Sequence, residues 1–355
     1  MSFLDDRRRV NFSQSDSHLD LKRGGLACVC RATAVCGDML ASTWHQRMKS
    51  PAKSETPIVN AMTVDVEDYF HVSAFENTVS RSEWETLDSR VSRNTERLLE
   101  LFDRANVRAT FFVLGWVAER FPGLVRDIAA RGHEIGSHGF SHRLVYDQTP
   151  EQFRDDLRRS REAIAAAVKV PVYGYRAPSF SIIKRSFWAL DVLLEEGFIY
   201  DASIFPIRHD RYGVPSAPRR FHTVQTNSGT IWECPGSTVR VGGTNLPVAG
   251  GGYFRLLPYA WTQWGIRRLN DVEGRPAIFY IHPWEIDPDQ PRLPGSWLSR
   301  FRHYRNLGET EGRLERLVSN FAFASLVEVL AKESQEQPAS PPVHASRGSR
   351  LVPAT

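Results

Sequence analysis

The sequence predicts an α/β protein in which helices cover a mostly parallel β-sheet. Short apolar runs alternate with longer segments of helical periodicity through the centre of the chain, as in a sheet built with crossover helices. The helical segments carry matching start and stop residues. Several apolar runs also end directly in charged or polar clusters, and in such folds the carboxyl ends of the strands hold the site. The alternation leaves open whether the sheet is open or closed into a barrel.

Ile58 to Val64 is apolar and ends in acids, so it reads as a buried strand. Asn94 is placed to cap a helix with Leu98, Leu99 and Phe102 on one side. Thr110 to Leu114 is the next strand. Pro122 opens a helix that runs to Arg131, and Gly132 ends it. His133 to Ser137 is a third strand. Thr149-Pro150-Glu151-Gln152 reads as a capping box opening a helix to about Val168, with Phe153, Leu157 and Ile164 facing inward. Val172 to Tyr175 is a strand, Ser186 to Glu196 a helix and Phe198 to Asp201 a strand. From 205 to 258 Pro and Gly are dense, and His222 to Val224 and Thr230 to Cys234 flank a turn at Asn227-Ser228-Gly229. This stretch is expected to be a β-hairpin insertion shaping the substrate cleft. A helix at Pro258 to Asn270, a strand at Ala277 to Ile281 and a last helix at Thr310 to Lys332 resume the pattern.

The 355 residues hold 45 basic and 41 acidic side chains, a net charge of +4. That small excess, with no clustered basic motif, argues against a nucleic-acid partner. Cys28, Cys30 and Cys36 lie near the start and only Cys234 lies in the expected core, so neither a disulfide framework nor a C-x-x-C zinc site is indicated. No apolar run reaches the roughly 18 residues of a membrane span. The first residues lack the apolar stretch of a secretory signal, which points to the cytoplasm. Residues 1–56 are polar and aperiodic and are expected to be disordered, with Met48 an alternative start. The Pro-, Ser- and Ala-rich tail 333–355 carries the same expectation.

Five polar clusters stand at strand ends. Asp65-Val66-Glu67-Asp68 holds three carboxylates whose mutual repulsion a cation would relieve, although a solvated acidic turn is the plainer reading. His138 and His142, four apart, present two imidazoles to one ion if the segment turns helically. With a carboxylate they make a facial site with open positions. Arg176 is placed to orient a nearby acid, or is simply a surface arginine before a turn. Tyr200-Asp201-Ala202-Ser203 suits a cap or turn. His282, closing an apolar strand, suits either proton donation or a satisfied core position.

In their order and spacing these clusters resemble the polysaccharide deacetylase family with the NodB-homology domain, carbohydrate esterase family 4, from about Pro57 to Leu330. The stretches DVEDYFHV, DASIFPIRHDRYGVP and YIHPWEIDPDQPR resemble most closely its members found with exosortase-linked exopolysaccharide loci. The resemblance implies a distorted (β/α) barrel. It makes Asp65 the catalytic base, His138 and His142 metal ligands, and Arg176 the residue that holds the base. Asp201 would tune the acid and His282 would be the acid. Pro178, Phe180 and Trp284 fall in motifs that line the substrate groove. Where most of the family has a second aspartate, this chain has Val66, so the metal carboxylate must be Glu67 or Asp68. Strand alternation favours Glu67, which shares a side with Asp65.

The implied reaction is hydrolysis of an N-acetylated sugar unit to acetate and amine, with one divalent ion. Zinc is the default for this donor set, and cobalt, nickel or iron also fit. A backbone N–H near Phe180 would help to hold the oxyanion. Two rivals remain open. One is a metal-free amidohydrolase acting on a small cyclic ureide or imide. The other is a sugar-binding protein without turnover. The sequence leaves the oligomeric state unspecified.

Overall fold

The computed structural model describes residues 57–336 and 343–344; the segment 1–56 lies outside the described residues. β1 (Asn60–Val66) is buried along its whole length, as a central strand with neighbours on both edges must be. After it come α1 (Val91–Ala105), β2 (Thr110–Val113), α2 (Gly115–Arg120), α3 (Pro122–Ala130), β3 (Glu134–Ser137), α4 (Pro150–Ala167), β4 (Gly174–Tyr175), α5 (Trp188–Glu195) and β5 (Tyr200–Asp201). β6 (His222–Gln225), β7 (Thr230–Glu233), β8 (Thr238–Val241) and β9 (Thr244–Pro247) follow, then α6 (Gly251–Leu256), α7 (Tyr259–Arg267) and β10 (Ile278–Ile281). The described chain closes with α8 (Trp297–Tyr304), α9 (Leu307–Asn320), β11 (Phe323–Ala324), α10 (Leu326–Glu336) and β12 (Val343–His344).

The main sheet runs β10-β1-β2-β3-β4-β5-β7-β6-β12, with β11 also on β1, and every pairing in it is parallel except β6 with β7. It curls into a half-barrel and stays open, its ends at β10 and β12. One side of β1 (Met62, Val64, Val66) joins Leu98, Leu99 and Phe102 of α1 and Val125 and Ile128 of α3 in the principal core. On the other side Ala61, Phe112, Tyr200 and Ile278 pack under Leu326, Val329 and Leu330 of α10. Val64 is in register with Ile281 and Val113 with Ser137. The residues at and just past these carboxyl ends therefore gather at one rim.

The elements differ from the sequence reading where distant partners decide the outcome. α1 starts at Val91, not at an Asn94 cap; Asn94 lies buried inside it and donates to Asp287 Oδ2 at 3.2 Å. The expected last helix is two helices parted by β11, because buried Phe323 pairs onto β1 and Ser325 opens α10 with Glu328. α10 continues to Glu336, past the expected boundary at 333, and Val343–His344 pairs with β6. The 205–258 stretch does hold a β6–β7 hairpin, but β7 lies parallel to β5 and extends the main sheet. β8 and β9 form a second hairpin. The Thr149–Gln152 box is formed as read, and Phe153, Leu157 and Ile164 are buried. No helix among the described residues is long and apolar enough to cross a membrane.

Candidate active site and metal centre

Asp65 on β1 is buried and accepts from Arg176 Nη1 at 2.8 Å. Arg176, just past β4, is itself fully buried. It donates to Thr63 Oγ1 at 2.7 Å and to the Ala202 carbonyl at 3.2 Å, and its guanidinium lies 4.4 Å from the Phe112 ring centre. Its backbone N–H donates to Ser137 O at 3.0 Å, and its carbonyl oxygen meets His138 Nδ1 at 2.8 Å. One residue thus fixes Asp65 and His138 together.

Glu67 and Asp68 have separate fates. Glu67 is buried with Oε2 2.9 Å from His142 Nε2 and Oε1 3.1 Å from His282 Nε2. Burial works against its charge, yet His142, His282 and His138 hold its pKa well below the usual carboxylate range. Asp68 points away from this group. Its Oδ2 accepts from Ser89 Oγ and Arg90 N, both at 2.7 Å, and from Val91 N at 3.0 Å, while Oδ1 accepts from Tyr69 N at 3.0 Å. Asp68 caps α1 from 23 residues upstream, satisfying N–H groups that the helix cannot satisfy itself. That occupation removes Asp68 from the metal-ligand reading and leaves Glu67.

Glu67, His138 and His142 bring one ligand atom each within 4.8 Å of one another, and all three are buried. The two histidines do not lie on a helical turn, as the spacing had suggested. Gly139 takes φ 76° and His142 φ 50°. A Cβ at residue 139 would sit 2.7 Å from Asp156 Oδ2, which accepts from Phe140 N, so glycine is required there. Burial lowers the His138 pKa to about 4, keeping it neutral with a free lone pair. Two imidazoles and a carboxylate, one imidazole oriented through its other nitrogen, fit a divalent ion. Ser179 and Phe180 are also left-handed, at φ 52° and 53°, so three of the non-glycine residues with such backbone surround this site.

His282 follows β10, with Nε2 3.8 Å from Asp65 Oδ2. Its Nδ1 meets Glu285 Oε1 at 2.5 Å, and Glu285 Oε2 accepts from Arg255 Nε at 2.6 Å. Burial opposes the imidazolium, but Glu67, Glu285 and Asp65 outweigh it and raise the pKa to about 9. Glu285 was not singled out in the sequence. Asp201, expected to tune this histidine, instead accepts from Ser203 Oγ at 2.5 Å and lies in register with Glu233. Burial raises both of those acids, Asp201 to about 6 and Glu233 well above the usual range, so the pair shares a proton.

The expected groove residues are largely covered. Trp284 stacks on His282 at 5.2 Å and on His303 at 4.2 Å, so neither ring face is open to a sugar. Pro178 is buried, and Phe180 packs on Phe205 and Tyr280. The N–H groups of Phe180 and Ser181 donate to Ala177 O and Pro178 O, so neither is free to hold an oxyanion. His71, also unread in the sequence, accepts from Asp68 N at 2.9 Å and is wedged between Trp84 and Trp116, bracing the Glu67 loop.

Residues 76–193 match the model of the polysaccharide deacetylase family. That segment is similar to polysaccharide deacetylases. This match ends within α5, and residues 202–331 match a domain of unknown function, DUF3473. Asp65 and Glu67 precede the deacetylase match, and His282 and Glu285 fall in the second one. The chain is 37% identical over 110 residues to the peptidoglycan deacetylase of Helicobacter pylori, covering 30% of this chain and 36% of that one. It is 32% identical over 98 residues to a peptidoglycan-N-acetylglucosamine deacetylase of Bacillus cereus, covering 27% and 36%. The chain thus spans about a third of the length of these curated relatives. A solved structure from Mycobacterium smegmatis, assigned as a polysaccharide deacetylase, superposes with a TM-score of 0.51 at 20% identity, covering 80% of this chain and 96% of that one. That likeness shows the shared fold.

Proposed function

We propose that this chain is a metal-dependent hydrolase that removes acetyl groups from N-acetylated sugar units of an exopolysaccharide or its precursor. The observation that carries the reading is the convergence of Asp65 and His282 on the Glu67-His138-His142 cluster. Asp65 Oδ2 takes a proton from the attacking water while Arg176 holds Oδ1. His282 Nε2 gives a proton to the departing sugar nitrogen, with Nδ1 held by Glu285. Water adds to the acetyl carbon, the C–N bond breaks, and acetate and a free amine leave. A divalent ion held by Glu67, His138 and His142 supplies Lewis-acid polarisation of the carbonyl and a more acidic water. Zinc is the first choice, with cobalt, nickel or iron also suited to the donor set.

The exopolysaccharide reading is supported by the DVEDYFHV and YIHPWEIDPDQPR stretches. The names of the curated relatives favour peptidoglycan N-acetylglucosamine as the second reading. Acetate release from a panel containing both classes of glycan, with and without chelator, tests the proposal. Chelator-insensitive release would point to metal-free chemistry. No release from any glycan would leave a binding protein.

A further inference from the structure

We propose that α8 and its flanks dock this protein on an anionic phospholipid surface, beside the candidate active site. The helix has two unlike faces. Inward, His303 is buried against Trp284, which in turn stacks on His282, and Tyr304 leans on Phe75. Outward, Trp297 is 77% exposed, Leu298 47% and Phe301 43%. Trp297 exceeds every other large apolar residue among the described ones in exposure, and its ring stacks on Phe301 at 5.6 Å. Contiguous exposed apolar side chains of this size mark interaction surfaces.

The surrounding charge selects the occupant. Arg292, Arg300, Arg302 and Arg305 flank the patch, and no acidic residue lies between Asp289 and Glu309. The Arg292 and Arg305 guanidiniums lie 4.2 Å from the Tyr304 ring centre and 5.9 Å from that of Phe301, which keeps cations at the apolar rim. Trp, Leu and Phe on one face with arginines around them is the pattern of an element lying in a lipid interface, where the rings enter the headgroup boundary and the cations meet phosphates. A neutral glycan would leave the charge of these arginines uncompensated, and a protein partner would have to be comparably acidic. Because α8 backs the histidine assigned as acid, a docked molecule holds its site close to saccharides carried at that surface.

Binding is read without turnover, so the test stands apart from the proposed hydrolysis. The full chain is sedimented with phosphatidylcholine vesicles and with phosphatidylcholine–phosphatidylglycerol vesicles. Wild type should bind the anionic vesicles and release as salt rises. Trp297→Ser/Phe301→Ser should weaken binding about tenfold or more. Arg300→Gln/Arg302→Gln should remove most of the preference for the anionic vesicles. These positions are exposed, so melting temperature should not change. Wild type alone gives a second readout, since brominated phospholipid should quench its tryptophan emission. Absence of vesicle binding, or equal binding by wild type and the Trp297→Ser/Phe301→Ser variant, overturns the proposal. So does a patch-dependent shift on an N-acetylated oligosaccharide, or patch-dependent dimerisation, in place of lipid binding.

Discussion

Replacing Asp68 with alanine should damage the fold and spare the metal site, the reverse of replacing its neighbour Glu67. Asp68 is buried, and three donors at the start of α1 converge on one of its oxygens. Losing a side-chain cap costs about 0.5–2 kcal/mol. Leaving the buried Val91 N–H unpaired adds about 1–3 kcal/mol, whereas half-buried Ser89 can turn to water. The sum is roughly 2–5 kcal/mol. At roughly 2–4 °C per kcal/mol for a domain of this size class, the apo-protein should melt on the order of 10 °C lower. Metal content should stay at about one ion per chain, the expectation for a His-His-carboxylate site. Glu67→Gln should instead lose the ion with little change in apo melting temperature. The assay is thermal melting of chelator-treated protein beside elemental analysis of metal-reconstituted protein. An Asp68→Ala protein that melts like wild type but holds no metal would show that the two carboxylates have been assigned the wrong way round.

Asp65→Asn should abolish acetate release yet retain the ion, and a metal-free Asp65→Asn protein would move Asp65 into the ligand set. His282→Ala should lose roughly 10²–10⁴-fold in rate on an acetamide, and less on an activated acetyl ester whose leaving group needs no proton; equal losses on both substrates would refute the acid role. Glu285→Gln should lower kcat with a smaller effect on KM, again more on the amide than on the ester, whereas Asp201→Asn should not show that selectivity. The Asp201–Glu233 pair makes a pH prediction. Both pKa values are raised by folding, so the stability they contribute is complete below their unfolded values near about 4 and is lost as pH rises through the folded ones. Glu233→Gln removes one titrating acid and should flatten the fall of melting temperature between about pH 5 and 8; parallel curves for variant and wild type would refute the shared proton.

The α/β class, the parallel strands and the gathering of Asp65, His138, His142, Arg176 and His282 were legible because each depends on local pattern or motif order. Partners settled by tertiary packing were not. Asn94 has the residue type of a cap near the start of the helix, while Asp68 reaches α1 from beyond a long loop. The last helix looked continuous because apolar periodicity persists through Phe321–Ser325, and only pairing of Phe323 with β1 breaks it. Ser325 and Glu328 had the capping-box spacing, the one local sign that could have placed the break. Glu285 had a signal too, since it lies three residues past His282 in a turn opened by Pro283. Nothing local could show that Arg255, thirty residues upstream, would neutralise its other oxygen.

Arg176 has a consequence for how this chain can change over generations. Its side chain touches β1 through Thr63 and Asp65, β2 through Phe112 and the end of β5 through Ala202. The same side chain is rivet and tool. Removing it takes the close ion-pair partner from a buried carboxylate, a change worth about 3–5 kcal/mol, so lost turnover and lost fold arrive together. Asp65→Asn keeps an oxygen that can accept from Arg176, and after His282→Ala Glu67 still meets His142 and Glu285 still meets Arg255, so both cost the fold less. A lineage that abandons hydrolysis but keeps the half-barrel for recognition will discard the proton carriers first and inherit the arginine unchanged. On the proposed mechanism, Arg176 in a relative is therefore a signature of architecture, and only Asp65 and His282 report on chemistry.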